Sequence, residues 1–222
     1  MHRTVTVMMV SILAAFSTGT PGAHPAEPAP GNVAKKPQRI VKLFDGKTLK
    51  GWRILDKIDF DRHGKVEVKN GELILGTGEP MTGISWTGAF PRINYEVSLE
   101  ARRIEGDDFF CGMTFPVGKT YCSLILGGWG GTVTGLSCID GYSADENETT
   151  GFFDFKRNRW YKIRLRVTDG KIEAWLDKEK IVDVKTQGRK IDLRWEMETM
   201  PPFGFATYCT TGGLRNLVLK TF

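Results

Sequence analysis

Histidine is nearly missing from this 222-residue chain, which has only His2, His24 and His63. No Ser-His-Asp spacing, phosphate-binding glycine loop or dinucleotide fingerprint is present. Carboxylates are therefore the favoured acid and base. Cysteine is scarce too. Cys111, Cys122, Cys138 and Cys209 lie far apart inside apolar or β-like runs, with no Cys-x-x-Cys pair to hold a structural zinc. They are either buried thiols or include at least one bridge. No window sustains a 3.6-residue apolar repeat of helix length, which excludes a helical bundle or a doubly wound α/β fold. Charge of one sign is lacking as well. Lys and Arg number 31 against 26 acids, a net +5. Without Arg3 the balance is 30 against 26, or +4, and no segment concentrates it into a nucleic-acid-binding face.

What is present favours short strands. Hydrophobic residues make up 41% of the chain, enough for a real core, and 26 glycines with 10 prolines supply turns. Arg3, the apolar run Val5 to Phe16 and then Ser17-Thr18-Gly19 read as a secretory signal peptide over residues 1–22. That run falls short of the ~20 apolar residues a membrane span needs, and no later stretch reaches it. Residues 23–38, with Pro25-Ala26-Glu27-Pro28-Ala29-Pro30, read as a tether. An exported domain is expected over 39–222.

Strand signals dominate that domain. Val66 and Val68 alternate with charged residues, Asn70-Gly71 is a strong hairpin turn, and Glu72 to Leu75 answers it. Tyr95, Val97 and Leu99 share one face, as do Tyr161, Ile163, Leu165 and Val167. Asp169-Gly170 turns the chain back on itself. Ten or more such strands predict an all-β, two-sheet antiparallel β-sandwich.

The stretch Leu124 to Thr150 is the best site candidate. Gly127-Gly128-Trp129-Gly130-Gly131 ends an apolar run, and Asp140 and Asp145-Glu146-Asn147-Glu148 follow. Glycine within a strand pattern marks a bulge, a bend or a close approach to the backbone. Trp129 is either a ligand platform or the core-filling residue of a hairpin corner.

The segment Phe44-Asp45-Gly46-Lys47-Thr48-Leu49-Lys50-Gly51-Trp52 resembles the opening of the 3-keto-disaccharide hydrolase domain family. The hairpin from Trp160-Tyr161-Lys162-Ile163 through Ala174-Trp175-Leu176-Asp177 and the closing Gly213-Leu214-Arg215-Asn216-Leu217-Val218-Leu219 are similar to the same family. The resemblance covers about Val41 to Lys220. It implies a concanavalin A-like jelly roll with a concave face that holds sugar, and cleavage of 3-keto-glycosides or disaccharides.

Such cleavage needs a base at C2, a donor near the leaving oxygen and support for the developing enolate. Glu146 and Glu148 lie two residues apart. In extended chain they share a face at roughly 6.5–7 Å between Cα atoms, within the ~5–9.5 Å that two-carboxylate glycoside hydrolysis uses. They are candidate acid and base, or else part of a solvated acidic loop. Asp108 is a third catalytic candidate. Asp107, Asp140 and Arg157 are candidates for holding sugar hydroxyls; calcium coordination or turn-capping competes for Asp107 and Asp108, and surface charge for Arg157. Trp129 and Trp86 are candidates for stacking on a ring, in competition with core filling. No metal or cofactor is expected. The partner is a carbohydrate, with neither nucleic acid nor a membrane span involved. Two readings follow: an exported glycoside-cleaving hydrolase, or a non-catalytic carbohydrate-binding jelly-roll module.

Overall fold

The computed structural model describes residues 39–222; the expected signal peptide (1–22) and tether (23–38) lie outside the described residues. The strands run in chain order as β1 (Arg39–Lys42), β2 (Trp52–Ile54), β3 (Val66–Lys69), β4 (Glu72–Leu75) and β5 (Met81–Trp86). Next come β6 (Tyr95–Gly106), β7 (Cys111–Val117), β8 (Thr120–Gly128), β9 (Val133–Ser137) and β10 (Gly151–Phe152). The last five are β11 (Tyr161–Thr168), β12 (Lys171–Leu176), β13 (Glu179–Lys185), β14 (Gly204–Tyr208) and β15 (Thr210–Thr221). Helical structure among the described residues is confined to two 3₁₀ turns, Ile58–Phe60 and Trp195–Met197.

The strands form two antiparallel sheets, the sandwich that the alternating pattern predicts and the jelly roll that the family resemblance implies. One sheet has the order β13-β12-β11-β6-β15-β4-β3, with β1 also paired to β15; the other has β10-β9-β8-β7-β14-β5-β2. The period-2 pattern sets the register. Ile163 stands opposite Leu99 on β6 and Leu176 on β12, so each strand turns its apolar set the same way. Between the sheets Val97, Leu165, Phe110, Phe115, Leu124, Phe203 and Phe205 make one continuous core. Buried Tyr95 donates its hydroxyl to the Pro116 carbonyl at 2.7 Å, tying the first sheet to the second.

The two outward faces differ. The first sheet carries a charged lattice: Glu96 accepts from Arg164 and Arg166, and Arg215 bonds Glu100. Trp175 lies there too, beneath the Arg164 guanidinium at 3.5 Å. The second sheet presents Gly83, Ser85, Gly112, Thr114, Ser123, Ile125, Gly204 and Ala206 outward, and all of them are buried. A second apolar cluster covers them, built from Leu55, Phe60, Met197, Met200 and Phe109. A Cβ on Gly83 would stand 2.5 Å from the Phe60 ring, and one on Gly204 would stand 2.5 Å from the Ile84 carbonyl and 3.2 Å from Met200. Ser85 Oγ donates to the Met200 carbonyl at 2.8 Å. The outward face of the second sheet is thus mostly roofed. It stays open at one end, where β5 and β7 begin and β8 and β14 finish.

All four cysteines are free thiols, three of them buried. Burial pushes the Cys111 and Cys122 thiols well above the usual range, so both remain neutral and behave as small apolar side chains.

Candidate active site

The open end holds a cleft of about 260 Å³. Met81, Ile125, Phe109 and Met197 form its apolar walls, and Asp108, Trp129, Arg194, Glu196 and Tyr208 supply its polar groups. Each polar group comes from a strand end or a connecting segment, which a rigid sandwich brings together.

Asp108 lies in the β6–β7 connection and is fixed from three sides. Its Oδ1 accepts the Phe109 N–H at 2.7 Å, its Oδ2 accepts the Gly130 N–H at 3.0 Å, and its own N–H donates to Thr210 Oγ1 at 2.9 Å. A carboxylate has about four acceptor sites, so two remain free for a ligand.

Trp129 follows β8 with a positive φ of 49° and is 41% exposed. Its neighbouring glycines have a definite cause. Arg103, only 6% exposed, passes beneath the loop and donates from Nη2 to the Gly131 carbonyl at 2.8 Å and the Gly127 carbonyl at 3.2 Å. A Cβ on Gly127 would come within 2.5 Å of that nitrogen; one on Gly131 would lie 2.7 Å from the Asp107 carbonyl. What approaches the backbone is therefore a buried arginine of the same chain. Burial lowers the Arg103 pKa, while Asp107 and Asp108 oppose that shift.

Arg194 and Glu196 reach the cleft from the segment preceding β14. Arg194 Nη2 bonds Glu196 Oε1 at 2.9 Å, and its Nε reaches both carboxylate oxygens at 3.2 Å. The guanidinium also lies 5.9 Å from the Trp129 ring centre, within cation–π range. Glu196 holds the Arg194 pKa above its usual value. Tyr208, at the end of β14, has its phenol pushed up by burial first, and then by Cys209, Asp108, Asp59 and Glu196. It stays protonated across the neutral range and is therefore a hydrogen-bond donor.

The sequence candidates divide sharply. Asp108 and Trp129 meet in the cleft. Glu146 and Glu148 do not line it: Glu146 is exposed, and Glu148 Oε1 is bonded to Arg189 Nη1 at 2.6 Å. Asp140 takes the same arginine through Oδ2 at 2.6 Å and the Lys190 N–H through Oδ1 at 2.7 Å. The Arg189 bond lowers the Glu148 pKa, and the Lys190 N–H is the main cause of the lowered Asp140 pKa. The acidic run thus folds into an arginine clasp. Asp107 and Arg157 bond each other at 2.9 Å, with 83% and 57% of their side chains exposed. Trp86 packs edge-on against Trp52 with ring centres 5.2 Å apart, and Gly51 and Gly88 both abut its indole. Its place is in the core's margin.

Sequence reasoning missed Arg194, Glu196 and Tyr208. The first two lie in a stretch without period, where Trp195 sits between opposite charges; that pattern was the available signal. Among the described residues no group of three or more His, Cys, Asp and Glu side chains is arranged to hold a metal ion.

Residues 39–216 match the 3-keto-α-glucoside-1,2-lyase-like domain family. The chain belongs to that family. Solved structures with the same fold include a proposed glycosyl hydrolase from Parabacteroides distasonis, 16% identical, covering 82% of this chain and 94% of its own, with a TM-score of 0.51. A proposed β-glucanase from Mycobacterium abscessus is 9% identical over 84% of this chain and 100% of its own, with a TM-score of 0.52. The Crh5 transglycosylase is 10% identical over 82% and 83%, with a TM-score of 0.54. At these identities the likeness concerns the fold alone. No curated protein sequence matches the chain closely.

Proposed function

We propose that this lyase-like domain cleaves the glycosidic bond of a 3-keto-glycoside by elimination, with Asp108 as base and Tyr208 as proton donor. The carrying observation is that an oriented carboxylate, a neutral phenol, an arginine and a half-exposed indole share one small cleft. A 3-keto group acidifies the proton at C2. Asp108 removes that proton through a free lone pair, and the electrons pass to the C3 oxygen as an enolate. Arg194, whose Nη1 takes no part in the Glu196 bonds, is the cation available to the enolate. As the C3 carbonyl re-forms, the C1–oxygen bond breaks and Tyr208 protonates the departing oxygen. The product has a double bond between C1 and C2, and addition of water across it completes a net hydrolysis. Trp129 offers its face to the apolar side of the ring.

The test is incubation of the purified protein with a 3-keto-disaccharide and its native counterpart in heavy water. Deuterium should enter C2, and only the keto sugar should be cleaved. Asp108→Asn should lower turnover by ~10²–10⁴-fold with the fold retained. Unchanged turnover would remove Asp108 from the chemistry. Sugar binding without any cleavage would make the domain a carbohydrate-binding module instead.

Export belongs to the same reading, on the strength of Arg3 and the Val5 to Phe16 run. Mature protein from outside the cytoplasm should begin between about Thr20 and Glu27. Intact Met1 protein in the cytosol would contradict it.

A further inference from the structure

Arg103 is the one buried cation among the described residues. It is 6% exposed, has no carboxylate partner within ion-pair distance among the described residues, and its Nε bonds to nothing. Taking a charge out of water costs several kcal/mol unless something compensates. The compensation here comes from two carbonyls, Gly127 and Gly131, and from the faces of Phe110 and Phe155 at 5.4 and 6.0 Å. Those carbonyls bracket a three-residue tip, Gly128-Trp129-Gly130. The tip carries the indole that lines the cleft and the N–H that holds Asp108 Oδ2 at 3.0 Å. The Arg103 backbone carbonyl also accepts the Asn158 N–H at 2.7 Å, which ties β6 to the β10–β11 connection.

We propose that Arg103 is a positioning residue that sets the Asp108 carboxylate and the Trp129 indole in register, without touching the ligand. A planar guanidinium can grip two carbonyls in one orientation, which a flexible ammonium cannot do as well. A tip held at both ends keeps the Gly130 N–H aimed at Asp108, so the base is aligned before a sugar arrives. This rests on the reading of Asp108 as base, but the grip itself exists without substrate.

The decisive measurement is therefore made on the ligand-free full chain. Amide hydrogen exchange is followed by NMR at Gly130 and at interior β8 residues such as Leu124. Arg103→Met should speed exchange at Gly130 and Gly131 at least tenfold and leave Leu124 unchanged. Arg103→Lys, which keeps the charge but loses the fixed plane of the two Nη2 hydrogens, should fall between. Gly131→Ala acts from the loop side, since at a φ of +111° its Cβ would stand 2.7 Å from the Asp107 carbonyl and 3.3 Å from Arg103 Nη1, and it should speed Gly130 exchange too. If the protein turns over a 3-keto-disaccharide, Arg103→Met should lower kcat and raise KM, with Arg103→Lys recovering part of both. Unchanged Gly130 exchange in a folded Arg103→Met protein overturns the proposal. So does failure of both Arg103→Met and Gly131→Ala to fold, which would make Arg103 a core residue only. Absence of turnover in the parent protein counts against the elimination reading and leaves the exchange result to decide the grip.

Discussion

Single residues here earn their type from one or two contacts. Asp45 opens the Phe44-to-Trp52 turn by accepting the Thr48 hydroxyl at 2.7 Å, the Thr48 N–H at 2.7 Å and the Lys47 N–H at 2.8 Å. These donors, the Thr48 hydroxyl foremost, hold its pKa down to about 2. A depressed folded-state pKa adds stability that is fully present above the unfolded value and is lost as pH falls through the folded one. Asp45 should therefore support the fold above about pH 4 and lose that support between about pH 4 and pH 2. Asp45→Asn should be less stable than the parent at pH 6, with the gap closing toward pH 2 in denaturant titrations. An equal gap at both pH values would show that the charge is irrelevant. The two tryptophans singled out in the sequence part ways at the same scale. Trp86→Ala should cost about 3 kcal/mol of stability, since it empties a site walled by Trp52, Gly51 and Gly88. Trp129→Ala should leave stability within ~0.5 kcal/mol, as expected for a surface side chain, and weaken sugar binding about tenfold. Thermal melts and titrations on both variants separate the two roles.

Elements were legible wherever a period or a turn residue wrote them. Asn70 and Gly71 have φ values of 54° and 80°, the left-handed pair that a two-residue hairpin requires, and they join β3 to β4 as the dipeptide implied. Between β11 and β12 Gly170 alone takes the left-handed conformation, at φ 87°, and turns the chain as Asp169-Gly170 implied. The roof over the second sheet was not legible. Leu55 to Phe60 and Leu193 to Met200 have no repeat, and their partners are glycines whose meaning appears only in three dimensions. The acidic run misled for a related reason. Two-residue spacing implies a shared face only in extended chain, whereas the Glu146 N–H bonds back to the Ser143 carbonyl and the Thr150 N–H to the Asn147 carbonyl. The chain there turns, and Asn147 Nδ2 is spent on the Leu136, Tyr142 and Ser143 carbonyls. Gly83 offers a direct check on the roof. Gly83→Ala drives a methyl to 2.5 Å from Phe60 and 3.0 Å from Leu55 on a strand where alanine is otherwise acceptable. It should destabilise by about 1–3 kcal/mol through overpacking. A neutral melt would mean that the roof lifts freely.

At the scale of the whole molecule, the roof decides what kind of sugar the proposed chemistry can accept. An open sheet face lets a polymer lie across many strands and bind at several rings. Here Phe60, Met197 and Met200 occupy that ground, Arg53 Nη2 ties the Thr199 carbonyl at 2.7 Å, and the Cys138 N–H holds the Asp192 carbonyl at 2.8 Å. The cleft that holds Asp108 and Trp129, about 260 Å³, lies at one end of the sheet and falls below the ~300–1,000 Å³ of pockets that enclose drug-sized ligands. In the proposed chemistry one ring enters this cleft with its leaving group directed outward, because Phe60, Met197 and Met200 cover the sheet floor that further rings would need. Each bound ring beyond the first two should then add little binding energy. Measured across 3-keto-oligosaccharides of increasing length, kcat/KM should level off by the disaccharide or trisaccharide, and a long glucan should not compete. A steady rise of kcat/KM with every added ring would show that the polymer runs over the roof, and the cleft would then be one subsite of a longer groove.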